Sequence, residues 1–243
     1  MSETTGHRVL SLKRCELGVS EDPWPFAEDN RAEIEAHWAR RKAENPHFFN
    51  GQIHLLREFV IEGECLAGRL LRTDFKSFLF WRETGERDRS VLDAFGSALI
   101  RSRDGAIILG CQRAGNINAG LSYLPGGFID ARDVDASGLV DIRASVLREV
   151  TEETGLTPGD LSVGPDYLVT FCGQQVSIAV EIRASCEAAA LVSRIRRYLE
   201  SDPSSELEDV VVIRTSSDVA ALAVAAYARV LLGTLLPSPP AAR

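Results

Sequence analysis

The chain has 243 residues, 45% of them apolar, and a formal net charge of −8. That length supports one sizeable core plus an appendage, or two small domains. The acidic balance argues against a non-specific binder of nucleic acid or anionic membrane, which needs clustered Lys and Arg.

Residues 1–90 read as an α+β appendage, with a substrate-recognition role as one use for it. "AEDNRAEIEAHWARRKAENP" has an acid or Asn cap, apolar Ile34, Ala36 and Trp38, and a stop at Pro46, which predicts an exposed amphipathic helix. After the turn-like "FFNG", "QIHLLREFVI" and "CLAGRLLR" predict strands and "DFKSFLFWRE" a short helix. Trp38, Phe48 and Phe49 suit core packing, with stacking on a base as the functional alternative. His7, His37, His47 and His54 show no ligand spacing and read as surface or packing residues.

From Val91 the pattern is cleaner. "SALIRS", the turn "RDG" and "AIILGCQR" predict two strands joined by a tight reversal. The glycine-containing loop "AGNINAGLSYLPGGFID" precedes a helix whose buried face is expected to carry Leu139, Ile142, Val146, Leu147 and Val150. "DYLVTFC" and "VSIAVEIRA" predict a strand pair, "EAAALVSRIRRYLESDP" a helix, and "DVVVIRT" a last strand. "VAALAVAAYARVLLGTLL", 219–236, contains Arg229 and is expected to be a buried terminal helix ended by Pro237, not a membrane span. The tail 237–243 reads as disordered. Strands interleaved with helices over 91–236 imply a mixed sheet sandwiched between helices. Five scattered cysteines, with no C-x-x-C pair, read as buried thiols of a reducing, cytoplasmic compartment. No secretory-length apolar run opens the chain.

The chemistry is expected in "LREVTEETGL". Glu149, Glu152 and Glu153 occupy the last turns of a helix, where each carboxylate is disfavoured by ~0.3–1 kcal/mol. Their i, i+3, i+4 spacing crowds them on one patch, where two carboxylates ~5–6 Å apart repel by about 3 kcal/mol at an effective dielectric near 20. Pairing of Arg148 with Glu152 relieves one of the three. A hard dication, Mg²⁺ or Mn²⁺, would reverse the sign for all of them, and such a metal usually accompanies phosphate. The glycines of "PGGFID" would let backbone approach the same ions, with the Gly126 carbonyl as a further oxygen ligand.

"REVTEETGL", with "LPGG" upstream, resembles the R-E-U-x-E-E-x-G-U core of the Nudix hydrolase box, where U is an apolar residue. The resemblance implies an α/β/α sandwich with a mixed sheet, and hydrolysis of a diphosphate bond in a nucleoside diphosphate linked to another group. It further implies metal binding by Glu149, Glu152, Glu153 and the Gly126 carbonyl, with Arg148 orienting one of the acids. Fourteen residues separate Asp133 from Arg148 where the box has seven, an insertion of seven placed in "VDASGLV". Asp133 stands where the box has Glu, and Asp130 where many members carry another acid. A general base is expected from a loop after the box, where Glu206, Glu208 and Asp209 are candidates and Glu206 is preferred; its plainer reading is an exposed loop acid. The region "HWARRKAENPHFFNGQIHLL" to "RTDFKSFLFWRE" resembles the N-terminal part of Nudix hydrolases acting on UDP-glucose and UDP-galactose. This implies a UDP-sugar substrate giving UMP and sugar 1-phosphate, with ADP-ribose or another nucleoside diphosphate derivative as the near alternative. A non-catalytic nucleotide-binding regulator and a purely structural domain are the readings of other classes. The partner is thus a small molecule, with neither nucleic acid nor membrane involved. A homodimer is compatible with the sequence but not specified by it.

Overall fold

The structure, a computed structural model, describes residues 6–202 and 205–236, so the tail expected at 237–243 lies outside the described residues. In chain order come β1 (Arg8–Leu12), β2 (Arg14–Ser20), α1 (Pro25–Asp29), α2 (Arg31–Glu44), β3 (Gln52–Glu62), β4 (Cys65–Asp74), α3 (Phe75–Glu83), β5 (Asp93–Arg101) and β6 (Ile107–Gln112). The short strands β7 (Ser122–Tyr123) and β8 (Gly126–Phe128) lead to α4 (Ile142–Thr154). They are followed by β9 (Leu161–Cys172), β10 (Gln175–Ala184), α5 (Ala188–Ser201), β11 (Leu207–Ile213), α6 (Ser216–Ala220) and α7 (Ala226–Leu235).

The main sheet runs β1-β9-β10-β5-β6-β11, with β7 added to β6 and β8 to β5. Its β10–β5 pairing is parallel and its other ladders antiparallel, so the sheet is mixed. Successive strand residues point to opposite faces. Gly96 lies under Val146 of α4, whereas the ring of its neighbour Phe95 meets Tyr227 of α7 edge-on, 4.8 Å between centroids. Helices α4 and α7 therefore cover opposite faces, which makes the expected α/β/α sandwich. Coverage on both sides explains why "VSIAV" of β10 is wholly buried without alternation.

The first 90 residues contribute to both sheets. β1 is the edge strand of the main sheet, in register with β9 from Arg8↔Phe171 to Leu12↔Tyr167. β2, β4 and β3 form a second, three-stranded sheet; Ile53, Leu55 and Leu71 join Trp24, Phe78, Trp81 and Val91 in a separate apolar cluster, while Leu17, Leu56, Leu66 and Leu70 pack into the main core. Reciprocal backbone bonds between Leu56 and Leu92, 2.9 and 2.7 Å, and His54 N–H to the Ile129 carbonyl, 2.9 Å, lock the two sheets together. Buried His54 and His37 are packing residues, as expected.

Two sequence expectations need correction. Leu139 is not on the buried face of α4: it precedes the helix, is 45% exposed, and bridges to Gly18 of β2. The inserted residues 134–140 close on themselves through a Val134↔Val140 bridge, and Asp141 starts the helix by accepting from the Ala144 N–H at 3.0 Å. The terminal helix is also broken. Residues 221–225 leave the helical path because Ser122 of β7 donates to the Ala223 carbonyl and accepts from Ala225 N–H, at 2.7 and 2.9 Å. Arg229 reaches back across this break to the carbonyls of Val219 and Leu222. Among the described residues no helix is long and apolar enough to cross a membrane.

Helix α4 ends at Gly155, whose φ of 65° is left-handed and whose absent side chain leaves room for the Tyr198 ring. A methyl group there would lie 2.4 Å from that ring. Gly155→Ala is expected to lower unfolding free energy by about 2–4 kcal/mol, combining a left-handed penalty with overpacking, as read by urea denaturation.

Candidate functional site

The end of α4 lies over the glycine turn of β8. Ile142, Val146 and Val150, spaced by four, bury one helix face against the sheet and turn the acids toward the turn. At Gly126 an added Cβ would come within 2.2 Å of the Gly96 carbonyl oxygen, so β8 can approach β5 only as glycine. At Gly127 it would meet the Glu149 carboxylate at 2.8 Å, so this carboxylate rests on bare backbone.

The three helix acids are placed differently from one another. Glu153 points into the core and is buried; Tyr123 Oη donates to it at 2.6 Å and the Gly126 N–H at 2.9 Å. Burial raises its carboxyl well above the ordinary range, against the pull of the Tyr123 hydrogen bond. Glu149 is partly buried and raised to about 7, by desolvation first and by the charges of Glu152 and Glu206, with Arg148 opposing. Glu152 stands at the rim, half exposed, 3.5 Å from Arg148 and 3.8 Å from Arg132. The expected convergence of all three on one patch is therefore not what the helix presents. Like charges at this spacing repel, and each acid takes its own partner: a phenol and an amide for Glu153, guanidinium groups for the others. Among the described residues no three His, Cys, Asp or Glu side chains form a ready-made metal cage.

Arg148 reaches further than its neighbour in sequence. Its Nη1 donates to Glu149 at 2.5 Å and its Nη2 to buried Asp133 at 2.8 Å. Asp133 sits in a 3₁₀ turn, Ala131–Asp133, and also accepts from the Asp130 N–H at 2.9 Å. This turn brings the shorter aspartate within reach of the guanidinium, and the seven extra residues loop out behind it. Asp130 is held by Arg132 through three side-chain bonds of 2.7, 3.0 and 3.2 Å.

A cleft of ≈ 690 Å³ opens beside these groups and includes Gly126, Gly127, Glu149, Glu152 and Glu206 in its lining. Glu206 is open to solvent at its edge, and its carboxyl is raised by partial desolvation in the cleft and then by Glu152. Its backbone is pinned: the Glu206 carbonyl accepts from Arg113 N–H at 2.8 Å, while the Arg113 guanidinium holds the carbonyls of Ser205 and Leu207. Of the alternatives, Asp209 is paired with Arg196 at 2.7 Å. Of the aromatic candidates, Phe48 packs against Trp38 and Phe75, whereas Phe49 is 81% exposed and lines the cleft.

The carboxylates gathered beside the Gly126–Gly127 turn present hard oxygen ligands and surplus negative charge. The carboxyls of Glu149 and Glu206 are both raised, by desolvation first and then in part by Glu152, and Gly127 carries no side chain to displace the Glu149 carboxylate. This donor set fits Mg²⁺ or Mn²⁺ better than a softer metal; Glu149, Glu152 and the Gly126 carbonyl would hold the ion, with the Glu206 carboxyl facing it across the cleft. Glu153, also expected as a ligand, is already engaged by the Tyr123 hydroxyl and the Gly126 N–H and holds the turn from within.

Sequence reasoning did not single out Tyr123, Arg132, Arg113, Arg82, Asp93 or Gln175. Tyr123 lies one residue before "LPGG", which is its only local signal. Asp93 opens β5 and is buried; desolvation raises its carboxyl to about 6, with Arg82 and Gln175 opposing. Relative to an unperturbed carboxyl at 3.8, the folded chain holds a proton between about pH 4 and 6 that the unfolded chain has released. Stability is thus lost as pH rises through that window, and the penalty is complete at pH 7. Asp93→Asn is expected to raise unfolding free energy at pH 7 by up to about 3 kcal/mol, with the gain shrinking toward pH 4; denaturation at the two pH values checks this.

A sequence model of the NUDIX domain matches residues 92–206. No curated protein sequence matches the chain. Solved structures resembling it include a Nudix hydrolase, RenU, from M. smegmatis, at 17% identity and TM-score 0.39, covering 58% of this chain and 83% of that one. A bifunctional NMN adenylyltransferase/ADP ribose pyrophosphatase from Francisella tularensis aligns at 16% identity and TM-score 0.40, over 65% of this chain and 44% of that one. A C. elegans Ap4A hydrolase aligns at 14% identity and TM-score 0.39, over 59% and 95%.

Proposed function

Since this chain carries a Nudix domain over residues 92–206 and belongs to the Nudix superfamily, we propose that it hydrolyses the diphosphate bond of a nucleoside diphosphate linked to another group, with Mg²⁺ or Mn²⁺. The preferred substrate is a UDP-sugar, which with one water gives UMP and a sugar 1-phosphate. The observation that carries the reading is the meeting of the Gly126–Gly127 backbone with Glu149, Glu152 and Glu206 in one cleft. A cytoplasmic setting accords with five free thiols.

When bound, the dication supplies charge neutralisation on the diphosphate oxygens and acidifies water. The chain's own residues do the rest. Glu206, with its raised carboxyl, takes the proton from the attacking water as general base. Arg148 holds Glu149 against Gly127 by bracing on Asp133, so the carboxylate is oriented before substrate arrives. Arg132, 61% exposed on the same rim, offers a cation to an incoming phosphate. The N-terminal segment lends its Phe48, Phe49, Ile53, Phe75 and Arg82 to the cleft wall, which supports a substrate-recognition role for residues 1–90.

A hydrolysis panel of UDP-glucose, UDP-galactose, ADP-ribose, dinucleotides and nucleoside triphosphates, each with Mg²⁺ and Mn²⁺, tests this. The expected result is metal-dependent turnover led by a UDP-sugar. A preference for ADP-ribose would transfer the substrate assignment, and turnover of none of them would remove the reaction. For the base, Glu206→Gln is expected to lower kcat by about 10²–10⁴ with KM changed by less than a few fold. Near-normal turnover would exclude Glu206 from proton transfer.

A further inference from the structure

Away from the carboxylates, the same cleft holds a polar wall that the proposed hydrolysis does not use. Asp93 is 5% exposed, and its Oδ1 has no hydrogen-bond partner. Buried carboxylate oxygens are nearly always paired, and one left bare is a large local penalty that folding alone gives no reason to keep. The position is not an accident of a loose loop. Asp93 begins β5, its N–H donates to the Gln174 carbonyl at 2.8 Å, and it is in parallel register with Gln175 of β10. Arg82, whose charge opposes the upward shift of the Asp93 carboxyl, is fixed by a 2.6 Å bond to Asn118 Oδ1. The backbone of Asn118 is in turn held by the Gln112 side chain at 2.7 Å.

Asp93, Arg82 and Gln175 line both the main cleft and an adjoining cavity of ≈ 280 Å³. They stand between the two spaces, with room on either side for a ligand group. The chemistry of the wall limits what that group is. A carboxylate only accepts, a guanidinium only donates, and the amides of Gln112, Asn118 and Gln175 each do both. A hydroxyl also donates and accepts, and its hydrogen rotates to suit its neighbour. A nucleobase edge offers a fixed, coplanar row of two or three polar atoms. The mixture on this wall matches several hydroxyls, each free to take either role, better than one such row.

We propose that Asp93, flanked by Arg82 and Gln175, binds hydroxyls of a sugar ring in the substrate and so sets specificity for the organic part of the molecule. This rests on the nucleoside diphosphate reading above. Oδ1 accepts from a sugar O–H, while Arg82 and Gln175 donate to hydroxyl oxygens beside it. Two rings carry this chemistry in a nucleotide sugar: the ribose and the sugar attached to the second phosphate.

The test compares wild type with Asp93→Asn, which keeps the shape and removes the charged acceptor. Dissociation constants are measured by calorimetry, with Ca²⁺ in place of Mg²⁺, for UDP-glucose, uridine diphosphate ethyl ester and 2′,3′-dideoxyuridine diphosphate glucose. The variant is expected to weaken UDP-glucose about 10- to 100-fold, the loss of one hydrogen bond to a charged acceptor. A penalty that vanishes with the ethyl ester assigns the subsite to the attached sugar, and one that vanishes only with the dideoxy compound assigns it to the ribose; both support the proposal. An equal penalty on all three, no penalty, or no wild-type binding of any of them overturns it. Absence of hydrolysis with intact, Asp93-dependent binding would instead overturn the reaction and leave this subsite standing.

Discussion

The buried carboxylate of Glu153 ties three pieces of backbone together at one point: the last turn of α4, Tyr123 of β7 and Gly126 of β8. Ionised or not, it has no water to fall back on, so its two hydrogen bonds must be made inside the protein. Making them pins the glycine turn against the helix, and only then does Gly127 lie under Glu149. The remaining α4 contacts follow from that placement. Tyr198 Oη donates to the Glu152 carbonyl, which answers one exposed acceptor of the helix end and sets α5 beside it. The unfavourable position of acids at a helix C-terminus is thereby relieved in parts by unlike partners.

Periodicity and turn chemistry made most of the sandwich legible, because its elements are long and locally consistent. The strand pair at β9 and β10, the hairpin at β5 and β6, and the acids before Gly155 all announce themselves within a few residues. What was hidden depends on distant partners. Leu139 has helical spacing with Ile142 and Val146, yet the Val134↔Val140 bridge and the Gly18 contact claim it first. The break between α6 and α7 is invisible in an alanine-rich run, since its cause is a backbone pairing with Ser122, about a hundred residues earlier in the chain. Side-chain direction was equally out of reach: spacing puts Glu149, Glu152 and Glu153 on neighbouring positions, but Tyr123 decides that one of them turns inward.

The cleft is a joint product of segments that look independent in sequence. Glu206 comes from the strand-entry loop that Arg113 fastens, while Arg82 and the phenylalanines come from before residue 90. The apolar cluster around Trp24, Phe78 and Trp81 is held to the sandwich by the Leu56–Leu92 bonds and the His54 amide. Asp93 and Gln175 of the cleft wall belong to the main sheet, so the lining draws on both parts of the chain.

The pairing of β1 with β9 has a temporal side. Arg8 must wait for Phe171 before either strand has this neighbour, and each such long-range closure is slow compared with local helix or hairpin formation. During synthesis the second sheet has all three of its strands once residue 74 has left the ribosome, while residues 8–12 remain an unclaimed edge until roughly a hundred more have followed. Residues 8–12 thus precede the other described strands in the chain and yet are among the last to find their place.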